Sequence, residues 1–337
     1  MNGRVTLQDV ADRAGTSRTT AHYVMTGRDQ QMRISEEARS RVLRAAAELR
    51  YRPNLMARGL RTAVTRTIAL VTDSIASEIY AGGLVYGSLT AAAAREHLLF
   101  VAESAHDAAL ESSLIEGLLD RRVDGFLYAT LHTRDVELPE ALAGQRVVTV
   151  NCRATDGSVP SVVPDEEGAG RSAGRVLLDA GHREGVFLVG EPAEHLFAGR
   201  ERLRGLVAEL AAGGTQLAGR VDCSWWPEPA FAAISAWLDT GVRPSALVCL
   251  NDRVALGAYQ ALAEHGLRVP ADVSVVSFDD SELASWLRPS LTSVALPHQA
   301  LAERGVALLL DGQRDPVEHR VPMPLRLRPS VAAPRPA

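Results

Sequence analysis

Thr6-Leu7-Gln8-Asp9-Val10-Ala11-Asp12-Arg13-Ala14-Gly15-Thr16-Ser17-Arg18-Thr19-Thr20-Ala21-His22-Tyr23-Val24-Met25-Thr26 decides how the first part of the chain folds. Thr6 stands as an N-cap, Asp9 follows three residues later as an acidic variant of the capping box, and Leu7, Val10, Ala11 and Ala14 share one helical face. Gly15 stops that helix. A second helix begins at Arg18, with Ala21, Val24 and Met25 on its inward face and Arg18, Thr19, His22 and Tyr23 pointing outward. Helix, three-residue turn and helix is the spacing of a helix-turn-helix, and the outward positions are those that reach base edges in a major groove. A third helix is predicted from Ser35, with Glu36 and Glu37 in its first turn, to about Arg50, burying Val42, Ala46 and Leu49. Residues 53–62 are too few to hold a helix alone and read as one formed on demand.

Charge divides the chain at the same place. Residues 1–66 hold 13 Arg against 6 Asp and Glu, a net of +7, and the remainder holds 23 Arg against 35 acids, a net of −12. A basic head on an acidic body is the pattern of a segment attracted to phosphates joined to one that is not. No lysine occurs, a feature read as codon bias of the source.

With 337 residues, 46% hydrophobic and 23% charged, the chain has the length for two or three domains and the composition to bury full cores. No apolar run reaches the ~18 residues of a membrane span, and the first residues lack the apolar region of a secretory signal, so a cytoplasmic protein without membrane contact is expected. Cys152, Cys223 and Cys249 are odd in number and widely spaced, which supports neither a disulfide framework nor a zinc site. The chain lacks GxxxxGK[ST], HExxH and a GxGxxG after a strand, and His182 and His195 have no acidic partner at a meaningful spacing. No catalytic residue, metal or cofactor is therefore expected.

Beyond residue 67, short β-rich runs at 68–71, 98–102, 125–129, 146–150, 185–189, 216–221, 246–250 and 273–278 alternate with helical stretches. This βαβ rhythm predicts two parallel-sheet lobes, separated near 151–164, with a ligand between them at the carboxyl ends of the strands. Asn151 and Asp279 each follow such a run and suit hydroxyl hydrogen bonds; Arg202 offers five donors to hydroxyls or a carboxylate.

The strings Val5–Ser17, Ala47–Asn54, Ala57–Thr62 and Thr67–Val71 resemble the LacI/GalR family of transcription repressors, in order and in spacing. The likeness continues through Asp179–Arg183, Arg202–Gly205, Asn251–Gly257, Val273–Asp280 and Arg320–Pro324, essentially the whole chain. It implies an all-α helix-turn-helix head (1–52), a hinge helix and linker (53–66), and a periplasmic-binding-protein-like α/β body of two lobes (67–337). The first lobe is expected at about 67–160 and 289–320, the second at about 161–288 and 321–332, with crossings near 161, 288 and 321.

By that resemblance Arg18, Thr19 and Tyr23 match base-reading positions, and Ser17, Thr20 and His22 match residues that hold the backbone. Thr6, Asn54 and Ala57 complete the DNA-binding set with Leu60, the hinge leucine that in the family wedges into the minor groove with its dimer mate. Effector-contacting positions match Ile79, Tyr80, Asn151, Arg202, Asn251 and Asp279, with Trp225 as a stacking aromatic. The implied partners are a palindromic double-stranded operator, a second copy of the chain and a small molecule, most often a sugar in the family. The chain departs from the family pattern at His22-Tyr23, in the loop 26–33 and at Gly59, a glycine that costs a helix about 1 kcal/mol relative to alanine. No leucine heptad closes the chain, which favours a dimer over a tethered tetramer. Two other readings compete with this one: a solute-binding module without a DNA role, and an enzyme.

Overall fold

The computed structural model describes residues 5–51, 64–76, 82–192 and 196–335. They divide into two compact units, Met1–Thr65 and Arg66–Ala337.

Among the described residues three helices make the head: α1 (Leu7–Ala14), α2 (Arg18–Met25) and α3 (Glu36–Glu48). The Thr6 hydroxyl accepts from the Asp9 amide at 3.3 Å while the Asp9 carboxylate accepts from the Thr6 amide at 2.7 Å, closing the capping box. Those Thr6 donors hold the Asp9 carboxyl below its usual pKa. Gly15 ends α1 at φ 59° and ψ 46°, the left-handed C-cap that a residue without Cβ enters freely. Ser17 caps α2 and Ser35 caps α3. Val10, Ala11, Ala21, Val24, Val42 and Ala46 close the core between them.

The body has two six-stranded sheets, each covered by helices on both faces. In the first, the strand order is β11 (Glu318–Val321), β5 (Ser161–Pro164), β4 (Val147–Ala154), β3 (Phe126–Val136), β1 (Thr67–Thr72) and β2 (Leu98–Glu103), all parallel. Helices α4 (Gly82–Ala94) and α11 (His298–Leu310) pack on one face, α5 (Ala108–Asp120) on the other. In the second, the order is β12 (Leu325–Arg326), β10 (Thr292–Ala295), β9 (Ser274–Asp279), β8 (Ala246–Cys249), β6 (Val186–Val189) and β7 (Gly219–Val221), with only β12 antiparallel. Helices α6 (Glu166–Asp179) and α7 (Phe197–Ala212) cover one face, α8 (Pro227–Asp239) and α9 (Asp252–Glu264) the other. The short helix α10 (Glu282–Trp286) follows β9.

The crossings differ from the expected positions. Ser161–Pro164 still pairs with β4 in the first sheet, so the chain leaves that lobe after 164, not at 161. Thr292–Ala295 pairs with β9 in the second sheet, so the return falls near 296, not 288. The third crossing lies between β11 and β12, at 322–324. Four strands, β5, β10, β11 and β12, have no counterpart among the expected runs. Each is four residues or fewer, and the sheets set their boundaries by hydrogen bonding.

Candidate nucleic-acid interface and interlobe cavity

On the head, Arg18 and Thr19 are exposed and Thr20, His22 and Tyr23 half-buried, along the side of α2 opposite Ala21 and Val24. Other head arginines are engaged locally: Arg13 with Glu48 at 2.7 Å, Arg39 with Asp29 at 3.0 Å and Arg41 with Glu37 at 2.9 Å. Arg18 makes no such pair among the described residues. The Ser17 hydroxyl accepts from the Thr20 amide at 3.0 Å and shares a 2.9 Å hydrogen bond with the Thr20 hydroxyl, and Thr6 is occupied in capping α1. The rings of His22 and Tyr23 lie 5.8 Å apart. The helix therefore presents an arginine and a threonine at its first turn, where backbone amides also favour an anion. Asn54, Ala57 and Leu60 lie outside the described residues, as do Ile79 and Tyr80.

In the body, a cavity of about 460 Å³ opens between the lobes, against the middle of β3 and the carboxyl end of β9. A register shift in β3 builds its wall. Between the pairs Ala129–Val150 and Arg134–Cys152, β3 has four residues where β4 has one, and the surplus pushes Leu131, His132 and Thr133 into the cavity. Asn151 is the single residue opposite. It is 1% exposed, at φ 58°, and its amide nitrogen donates to the Thr130 and Leu131 carbonyls at 2.8 and 3.1 Å while its oxygen accepts from the Thr133 hydroxyl at 2.7 Å.

The three side-chain hydrogen bonds of Asn151 all go to the bulge, and it is not among the residues that line the cavity. Asn151 clamps the bulge that presents His132. Asn151→Ala is expected to lower body stability by about 1–3 kcal/mol in urea titration, because two buried carbonyls lose their donors. An unchanged midpoint would refute the clamp.

From the second lobe, Arg202 on α7 is 2% exposed. Its Nε and Nη2 donate to the two Glu166 carboxylate oxygens at 2.6 and 3.1 Å, Nη1 donates to the Leu250 carbonyl at 2.6 Å, and Asp279 lies 3.5 Å from Nη2. Glu166, in the first turn of α6, is itself 1% exposed; burial raises its carboxyl and the guanidinium opposes that rise. Asp279 and Asp280 carry left-handed φ of 99° and 51°, held by the Asp280 amide donating to the Ser293 hydroxyl at 2.9 Å. Both residues line the cavity, Asp279 beside Arg202 and Asp280 with its carboxylate 2.6 Å from Arg328.

Asn251 lines the cavity, but its oxygen caps α9 through the Val254 amide at 2.7 Å and its amide reaches the Trp225 carbonyl at 3.3 Å. Trp225 is half-buried beside them, with its indole N–H donating to the Glu191 carbonyl at 2.9 Å. The cavity thus gathers Arg202, Trp225, Asn251 and Asp279 from the expected set.

Sequence reasoning missed His132, Thr133, Glu166 and Asp252, all of which line the same cavity. Desolvation at the cavity wall keeps the His132 imidazole below its usual pKa. Asp252 accepts from the Ser281 amide and hydroxyl and from the Ser293 hydroxyl at 2.7–2.8 Å; burial, then the Asp279 charge, push its carboxyl up to about 7. Asp252 directly follows Asn251 in the matching string, which was the one available signal. Nothing local marked the others.

The remaining candidate chemistry is quiet. His182 is a core histidine whose ring nitrogens meet Ser245, Ser274 and the Ala332 carbonyl at 3.0–3.1 Å, and His195 lies outside the described residues. The three cysteines are free thiols, with burial pushing Cys152 up to about 12 and Cys223 to about 11. Among the described residues no cluster could hold a metal ion, and no helix is long and apolar enough to cross a membrane.

A helix-turn-helix head with an exposed reading face, followed by two Rossmann-like lobes around a cavity, defines a DNA-binding transcription regulator. Comparison with known proteins agrees. Residues 6–54 match the bacterial regulatory proteins of the lacI family, and residues 174–331 match the periplasmic binding protein-like domain. The chain is 33% identical to the HTH-type transcriptional regulator AscG of Escherichia coli K12, over 90% of this chain and 91% of that one. It is also 33% identical to the HTH-type transcriptional regulator CelR of Thermobifida fusca, over 91% and 92%. Among solved structures, a lac repressor dimer bound to operator and the anti-inducer ONPF superimposes with a TM-score of 0.80 at 28% identity, over 98% of this chain and all of that one. A complex of the regulator CelR with cellobiose matches at 0.68 and 31% identity, over 97% and 100%. The chain belongs to the LacI family.

Proposed function

We propose that this regulator is a cytoplasmic repressor that binds a palindromic operator as a homodimer and changes its operator affinity when an uncharged sugar occupies the interlobe cavity. The observation that carries this reading is the cavity itself: a tryptophan beside a buried arginine and a strand-end aspartate, the combination that stacks on a sugar face and bonds its hydroxyls. The α2 helices of the two protomers read successive major grooves, and the 53–62 segments pair over the minor groove between them. Effector binding changes the angle between lobes and hence the spacing of the paired protomers, so ligand and operator affinities are reciprocally linked. Support for pairing comes from Tyr86 and Leu89 on α4 and Leu98, Phe100 and Val101 on the edge strand β2, large apolar side chains left 42–67% exposed.

Selection of bound duplexes from a random pool, followed by titration of the recovered site with sugars and nucleosides, tests the proposal. A palindrome released or tightened by one sugar is the expected result. Failure to enrich any sequence, with small-molecule binding intact, would make the chain a solute-binding module. Two variants sharpen the test. Arg18→Ala is expected to relax preference at one operator position by about 1–3 kcal/mol, whereas a uniform loss over all sequences would make Arg18 a phosphate contact. Leu60→Ala is expected to weaken operator binding strongly while leaving sugar affinity of the free protein unchanged; unaltered operator affinity would remove Leu60 from the hinge role.

A further inference from the structure

Two of the largest side chains at the cavity are left uncovered. Trp226, at the N-terminus of α8, is 55% exposed, and Trp286, at the end of α10, is 63% exposed; both line the cavity that holds Arg202 and Asp279. Elsewhere the second lobe buries its aromatics: Phe278 is fully buried and Phe187 packs edge-on against Trp237 at 4.7 Å. Trp226 is also held in place, with the Arg253 guanidinium 4.4 Å from its ring centroid on one face. Arg253 and Glu282 lie in the same wall and bring donors and acceptors alongside the rings.

The charge of the lining selects further. Among the described residues five carboxylates line the cavity with Arg202 and Arg253; Glu166 is paired with Arg202, and Asp280 with Arg328 at 2.6 Å, which leaves Asp252, Asp279 and Glu282 beside Arg253. A phosphate or carboxylate on the ligand would meet that surplus of negative charge at short range. The volume, about 460 Å³, is within the range of sites that enclose drug-sized molecules and exceeds what one sugar ring fills.

We infer that Trp226, Trp286, Arg253 and Glu282 form an outer subsite for a second ring, and that the effector is an uncharged glycoside of at least two rings, neither a free monosaccharide nor a sugar phosphate. This rests on the carbohydrate reading of the cavity and specifies it. The inner ring lies against Trp225 with Arg202 and Asp279; the outer ring stacks on the indoles, whose π-faces take the C–H face of a sugar while the flanking charged groups meet its hydroxyls.

The test is calorimetric titration of the full-length protein with glucose, galactose, mannose and ribose, with α- and β-linked disaccharides of the hexoses, and with the hexose 6-phosphates. The expected result is a disaccharide that binds at least about tenfold more tightly than its component monosaccharide, with the phosphates not binding. In Trp226→Ala and Trp286→Ala the disaccharide is expected to lose about tenfold each while the monosaccharide stays within about twofold, and Trp286→Phe is expected to retain most of the affinity. Both rings are exposed, so neither variant removes core packing. Equal affinity for one ring and two, or equal losses of both in the alanine variants, would overturn the outer subsite but leave the carbohydrate reading standing. Tightest binding by a 6-phosphate would overturn the charge argument. Binding of no sugar in the panel would overturn the carbohydrate reading, and the subsite with it.

Discussion

Arg202→Ala is expected to destabilise the body by about 3–5 kcal/mol at pH 7.5 and to abolish effector binding. The guanidinium lies beneath the cavity with 2% exposure and answers both oxygens of a carboxylate that is itself 1% exposed. Its removal leaves Glu166, 1% exposed, without the cation that answers its charge, and also leaves the Leu250 carbonyl without its donor. The penalty depends on pH with a definite sign. Without arginine, burial alone governs Glu166 and raises its folded-state pKa above the unfolded value; the protonated carboxyl is then the form the fold accepts. Stability is retained at low pH and lost as pH rises through that raised pKa, so the deficit of the variant should shrink between pH 7.5 and pH 5.5. Urea titrations at the two pH values check this, and Arg202→Ala combined with Glu166→Gln should recover part of the loss. A deficit below about 1 kcal/mol, independent of pH, would show that the pair does not carry the buried charge assigned to it.

Gly205→Ala is expected to cost at least about 3 kcal/mol, although helix propensity alone makes the same change a gain of up to about 1 kcal/mol. The reason is the crossing of α6 and α7. A Cβ on Gly205 would stand 2.0 Å from the Glu167 carbonyl oxygen and 2.9 Å from the Arg171 amide, and one on Gly170 would stand 2.1 Å from the Arg202 carbonyl oxygen. These are backbone atoms of helices, which cannot swing aside as a side chain would. The helices would have to separate, and they are the elements that carry Glu166 and Arg202, so effector affinity should fall together with stability. Thermal unfolding and sugar titration of the variant test both effects. A neutral or stabilising substitution would mean that the two helices part without loss, and the close crossing would then have no role in placing the ion pair.

Much of this protein is legible in its amino-acid order because the signals are local. Thr6, Asp9 and Gly15 start and stop α1 within ten residues, and Ser17 starts α2 in the same way. The apolar runs that became β1 to β4 and β6 to β9 sit where expected to within a few residues, apart from the carboxyl ends of β3 and β4. Asp279, at the end of such a run, and Arg202 were recognisable as cavity residues by the same rules of strand ends and donor chemistry. The short strands β5, β10, β11 and β12 were not, because two to four residues carry no period of their own and acquire strand geometry only when a neighbour supplies hydrogen bonds.

Asn151 shows the remaining difference. The sequence reading put it at a strand end, but it lies within β4, and its role depends on three surplus residues in β3, a mismatch that exists only when β3 and β4 lie side by side. Glu166 and Arg202 are 36 residues apart, and nothing near either one announces the other. Sequence by itself determined the elements, the basic head and the acidic body, since capping, periodicity and net charge act over a few residues or over composition. Tertiary structure alone decided that Gly170 and Gly205 must remain glycine, that Asn151 bonds to the bulge of β3 and that Trp226 and Trp286 line the cavity, because those are properties of surfaces that meet only once the chain has folded.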